Sequence, residues 1–178
     1  MASSRKRAVG VPAREPRVGY ALPPPAGPHA GARPAPRGAL LDVNVLIALL
    51  DADHVHHARA TAWLARNIAA GWASCVITQN GCVRIMSQPG YPNALPASSV
   101  ALRLRQATET RHHRFVSGEL SLLDDRRFDV GQLLGHRQVT DAWLLGLAVQ
   151  NGLRLVTFDI NMPMRVVRGA TAAHVVAL

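Results

Sequence analysis

Cysteine is almost missing from this chain. Cys75 and Cys82 are the only two, which excludes a disulfide scaffold and a cysteine-built metal domain. Lysine is scarcer still, since Lys6 stands alone among 20 basic residues. Long apolar runs are absent too. The longest aliphatic stretch, Val45 to Leu50, is six residues, far short of the roughly 20 that span a bilayer. No membrane segment is therefore expected. The basic opening residues lead into proline and glycine instead of an apolar core segment, so a secretory leader is not expected either. Neither G-x-G-x-x-G nor G-x-x-x-x-G-K-[ST] occurs, and readings built on a nucleotide cofactor lose support.

What is present divides unevenly. The chain has 178 residues, 48% of them hydrophobic, with a formal net charge of +9. That suits one compact domain of ordinary size plus a tail. Residues 1–38 hold eight of the 12 prolines, and seven basic residues against Glu15 alone. A stretch so rich in proline and glycine cannot bury enough apolar surface to offset the entropy of ordering it. It reads as a disordered basic tail that binds RNA loosely through counterion release, or as the product of a start codon placed too far upstream.

From Ala39 onward, short aliphatic segments alternate with helical ones. Ala39 to Asn44 reads as a buried strand, with a helix beginning at Val45. Ala58 to Ala70 reads as a helix stopped by Gly71. Trp72 to Thr78 reads as a second strand because β-branched Val76, Ile77 and Thr78 close it, and Gln79 to Ser87 as a helix. Ser98 or Ser99 is a candidate cap for a helix reaching about Arg111. Phe115 to Ser117 reads as a third strand, Thr140 to Gln150 as a helix, Leu153 to Thr157 as a fourth strand, and His174 to Leu178 as a last short one. Alternation of this kind indicates an α/β sandwich around a mostly parallel sheet. In such sheets ligands sit beyond the carboxyl ends of the strands.

Three acids occupy those ends. Asp42 follows Leu40-Leu41, Asp159 follows the fourth strand, and Asp141 opens the apolar helix Ala142-Trp143-Leu144-Leu145. Singly, each has a plain explanation: a helix amino end suits Asp141, and a turn with Asn161 suits Asp159. Together, on parallel neighbours, they converge. Like charges at close range raise one another's pKa unless a cation sits among them. Hard oxygen donors with open positions suit Mg²⁺ or Mn²⁺, and such an ion can polarise a phosphodiester and activate water. The run Asp51-x-Asp53-His54-x-His56-His57 also invites a metal, but its spacing fits no zinc pattern, and Asp53 would serve as a helix cap.

The blocks around these acids carry a family resemblance. Leu40-Leu41-Asp42-Val43-Asn44-Val45-Leu46-Ile47-Ala48-Leu49 resembles the opening of PIN-domain ribonucleases, specifically VapC-type toxins of toxin–antitoxin systems. Ile77-Thr78-Gln79-Asn80-Gly81-Cys82-Val83-Arg84-Ile85-Met86-Ser87 resembles the second block, Gly135-His136-Arg137-Gln138-Val139-Thr140-Asp141-Ala142-Trp143-Leu144 the third, and Leu155-Val156-Thr157-Phe158-Asp159 the fourth. The match spans about residues 39–178 and leaves the tail unexplained. It implies a PIN-like three-layer α/β/α sandwich and a Mg²⁺-dependent endoribonuclease, with Mn²⁺ as a substitute ion. It also implies a cytoplasmic location, an RNA substrate, a small VapB-type antitoxin partner and a homodimer. By the same resemblance Asp42, Asp141 and Asp159 hold the metal. Asn44 and Thr157 match polar motif positions that orient acids or water. The family commonly has glutamate where this chain has Gln79; a neutral amide offers oxygen but neither charge nor a base. That departure keeps two rivals open: a non-catalytic RNA-binding PIN domain, and a Mg²⁺ phosphatase or DNA nuclease with the same acid cup.

Overall fold

The computed structural model describes residues 35–178; the reading of residues 1–34 as a tail lies outside the described residues. Five strands form one sheet: β1 (Ala39–Leu41), β2 (Trp72–Cys75), β3 (His113–Val116), β4 (Arg154–Thr157) and β5 (Val175–Ala177). Their order is β3-β2-β1-β4-β5, and every pairing is parallel. The sequence supports this because β1, β2 and most of β4 are buried on both faces, as strands sandwiched between helices must be.

Alternate residues of β1 feed two separate cores. Leu40 joins Val116, Phe128, Leu144, Leu145 and Leu155 on one side. Ala39 and Leu41 join Val45, Ile47, Trp63, Met86 and Leu104 on the other. The second face is covered by α1 (Val43–Leu50), α2 (His57–Asn67), α3 (Val76–Met86) and α4 (Ala97–Thr108). The first face is covered by α5 (Gln138–Gln150). Helix α5 has apolar side chains buried nearly all round, Leu144, Leu145, Leu147, Ala148 and Val149 among them, which marks a helix enclosed by protein. The architecture is the expected three-layer sandwich, with a sheet that is wholly parallel.

Two close approaches depend on glycine. A Cβ on Gly81 would stand 2.8 Å from a Val43 methyl, where α3 crosses α1. A Cβ on Gly146 would run into the Phe128 ring. Phe128 belongs to the long segment between β3 and α5, which is tied down further by Trp143 Nε1 donating to the Leu120 carbonyl (2.8 Å) and by a bridge from Phe128 to Val167.

Several element boundaries differ from the sequence reading. Strand β2 stops at Cys75, so Val76, Ile77 and Thr78 form the first turn of α3 instead of extending a strand. The Thr78 hydroxyl accepts from the Cys75 amide (2.9 Å) and donates to the Cys75 carbonyl (3.1 Å), which closes the helix start. Strand β1 stops at Leu41, and Asn44 lies in α1 rather than at a strand end. Helix α4 is entered from Pro96, not from a serine cap. Helix α2 follows His56, and Asp53 caps nothing; its carboxylate meets Asn93 instead. No described helix is long and apolar enough to cross a membrane.

Candidate active site

The sheet order reverses direction between β1 and β4, because the chain builds outward from β1 on one side and then returns to add β4 and β5 on the other. The crevice beyond the carboxyl ends at such a switch point is the usual ligand site of open α/β sheets. Asp42 emerges there from β1 and Asp159 from the end of β4.

Asp42 is the amino-terminal cap of α1. Its Oδ1 accepts from the Val43 amide at 2.6 Å, and its backbone N–H donates to the Val156 carbonyl at 3.0 Å. Its other oxygen, Oδ2, accepts from the hydroxyl of buried Thr157 at 2.9 Å. The same hydroxyl accepts from the Asp159 amide at 3.1 Å. Thr157 is thus the hinge pin between the two strand-end acids. Asp159 is exposed, and its Oδ1 accepts from the Asn161 amide at 2.7 Å. Asp141 arrives from the first turn of α5. Asn44 is exposed in the first turn of α1, where it touches neither Asp42 nor Thr157 by hydrogen bond.

Electrostatics tie the three carboxylates together. Burial pushes the Asp42 carboxyl above the usual aspartate range; the bonds from Thr157 and Val43 pull it down, and the charge of Asp159 pushes it up again. Asp141 is also raised, first by burial and then by the charges of Asp42 and Asp159. No cation relieves them: the three ion pairs among the described residues involve Asp124 and Asp129. Hard oxygen donors in mutual repulsion are the chemistry a divalent cation satisfies. Among the described residues no three His, Cys, Asp or Glu side chains stand as a group that could hold a metal ion by themselves; a hard cation at these acids would take waters as its remaining ligands.

The raised values fix a sign. Ionising Asp141 works against the folded, metal-free chain, so its contribution is fully present below the ordinary aspartate value and is lost as pH rises through the raised one. Asp141→Asn is therefore expected to raise the metal-free melting temperature near neutrality, with the gain vanishing near about pH 4. Thermal melts of both chains across pH check this. The comparison must be between the two chains, since half-buried His54 and His113, whose burial holds them below the ordinary imidazole value, also change charge with pH.

A family model described as PIN domain matches residues 39–167. Ribonuclease VapC44 of Mycobacterium tuberculosis is 51% identical over 140 residues, which cover 79% of this chain and 99% of that one. The chain belongs to the PIN-domain family, among its VapC ribonucleases. Ribonuclease VapC38 of the same species is 45% identical over 125 residues, covering 70% and 86% of the two chains. Among solved structures, Mycobacterium tuberculosis VapC20, described as a sarcin–ricin loop cleaving toxin, covers 69% of this chain and 91% of that one at 14% identity, with a TM-score of 0.48.

Within this PIN domain Gln79 lies one turn into α3, and its amide is already engaged. Its Nε2 donates to the hydroxyl of buried Ser74 at 2.9 Å, and that hydroxyl lies 2.8 Å from His113 Nε2. Ser74 and His113 escaped the sequence reading, because nothing in periodicity or spacing links positions 39 residues apart. The Asp51–His57 run is structural as it stands. Asp51 accepts from Tyr91, Asn93 and the Asp53 amide, while His54 and His56 pack against Phe158. His136 and Arg137, just ahead of α5, are exposed.

Proposed function

We propose that this chain is a Mg²⁺-dependent endoribonuclease toxin of a toxin–antitoxin system. What carries the reading is the 51% identity to a curated ribonuclease across 99% of that protein's length. Three repelling carboxylates at the switch point of the sheet support it. Asp42, Asp141 and Asp159 would hold the ion. Bound there, a divalent cation supplies a Lewis acid for a phosphodiester oxygen and lowers the pKa of a water.

The protein's own residues set the stage for that chemistry. Val43 N–H and Thr157 Oγ fix the two Asp42 oxygens in place, so this ligand needs no reorganisation on binding. Thr157 also fixes the Asp159 backbone. Asn44, exposed beside Asp42, is placed to contact water or the strand. His136 and Arg137 precede Asp141 and supply donors for backbone phosphates. The partners that go with this reading are an RNA strand, a small antitoxin and a second copy of the chain. The location that goes with it is the cytoplasm.

The deciding experiment is cleavage of an RNA substrate with and without Mg²⁺. RNA bound but never cleaved favours the non-catalytic reading, for which Gln79 is the specific observation. Cleavage of DNA or a phosphomonoester alone favours the other rival. Gln79→Glu supplies a finer probe. It replaces the donor to Ser74 by an acceptor and adds a fourth carboxylate at the position where the family commonly carries one. It is expected to melt lower than the natural chain without metal, to gain more from added Mg²⁺, and to cleave faster. A Mg²⁺ titration followed by thermal melting checks the first two. A variant that neither gains from metal nor cleaves faster places position 79 outside the site.

A further inference from the structure

At the pole opposite the acids, the four connections that lead into β1, β2, β3 and β4 line an open cavity of about 560 Å³. That volume suits a small-molecule ligand. Its wall carries Arg37, Arg111 and Arg114, together with His112, His113 and Trp72. All three arginines are exposed, and no Asp or Glu among the described residues lines the cavity. Glu109, two residues ahead of Arg111, forms no ion pair with it; the ion pairs among the described residues lie elsewhere. The shape is fixed by the sheet itself. Ala39 N–H donates to the Gly71 carbonyl, Trp72 N–H to the His112 carbonyl, and Arg37 N–H to the Gly152 carbonyl. Gly71 and Gly152 also line the cavity, so backbone stands open to a ligand there.

We propose that this cavity is a second ligand site, one that binds the phosphate group of a nucleotide, free or within an RNA strand. Three guanidinium groups around one opening, with no carboxylate of the described residues among them, concentrate positive potential there. Each presents a planar fork of donors that matches phosphate oxygens in pairs. The His113 ring is packed against Trp72 with centroids 4.4 Å apart, and Arg111 Nε donates to His112 Nε2 at 3.2 Å, so one of the three guanidinium groups is already oriented at the opening. The carboxylate pole repels phosphate when no metal is present, so the two poles can be told apart. The inference does not depend on the ribonuclease reading, because binding is measured without metal or cleavage.

The test uses the full chain in metal-free buffer, titrated with inorganic phosphate, adenosine monophosphate and a tetranucleotide RNA while backbone amide resonances are followed. Saturable shifts are expected at Gly71, His112, His113 and Gly152, with residues 157–161 unmoved. The combined Arg37→Ala, Arg111→Ala, Arg114→Ala variant is expected to weaken binding by at least about tenfold. Because those side chains are exposed, it should melt like the natural chain. Binding of the mononucleotide identifies a free ligand, and binding of the tetranucleotide alone identifies the strand; either supports the site. No saturable shift, equal affinity in the triple variant, shifts centred on residues 157–161, or equally tight binding of a glutamate oligomer overturns it.

Discussion

Asp42→Asn and Asp141→Asn are each expected to abolish metal-dependent RNA cleavage while leaving the fold intact. Each removes one anionic donor from a three-acid cup, and a hard cation depends on charged oxygen for affinity. The fold should survive for different reasons at the two positions. At residue 42 asparagine remains one of the best helix caps, so its side-chain oxygen can still accept from the Val43 amide as Asp42 Oδ1 does. At residue 141 a half-buried charge, raised by burial and by two neighbouring carboxylates, disappears, and the metal-free chain gains. Cleavage assays beside thermal melts check both statements. Near-normal cleavage in either variant removes that acid from the metal cup.

Phe128→Ala is expected to cost about 3–5 kcal/mol, the usual loss when a large aromatic leaves a close-packed core. Phe128 is 1% exposed, and Gly146 on α5 is bare where its ring lies. Emptying that notch leaves a void which a glycine cannot fill from the other side. By the usual scaling for domains of this size, the melting temperature should fall by roughly 10 °C. Denaturant unfolding measures the free energy. Loss of that anchor should also loosen the segment between β3 and α5, which delivers Asp141 to its place, so cleavage is expected to weaken well before global unfolding. A variant as stable as the natural chain would mean the segment is held chiefly by Trp143 and Leu120.

The sequence was most legible where burial and chemistry coincide. Leu40-Leu41-Asp42 and Leu155-Val156-Thr157-Phe158-Asp159 read as strands ending in acid because a parallel strand needs apolar faces on both sides and its carboxyl end does not. Val76-Ile77-Thr78 misled for a physical reason. β-branched residues disfavour helix interiors by crowding the preceding turn, but the first turn has none before it, and the Thr78 hydroxyl is well used there in closing the helix start. Asn44 falls in the helix for a different reason: β1 ends at Leu41 and Asp42 caps α1 at once. The segment from Ser117 to Gly135 offered no periodicity at all; Phe128 meets Gly146 across a turn of sequence that no local pattern encodes. The basic cavity was invisible for the same reason, since four loops far apart in the chain build it.

The described chain enters and leaves the sheet at opposite poles. Residue 35 lies on the wall of the basic cavity, whereas the Leu178 amide donates to the carbonyl of Thr157, the residue that pins the two strand-end acids. A fluorophore placed near residue 35 therefore reports on events at the arginines, and one at residue 178 on events at the carboxylates. The same asymmetry governs fusion proteins: a bulky partner joined after Leu178 would crowd the mouth of the acid cup, so a silenced carboxyl-terminal fusion need not be an inactive enzyme.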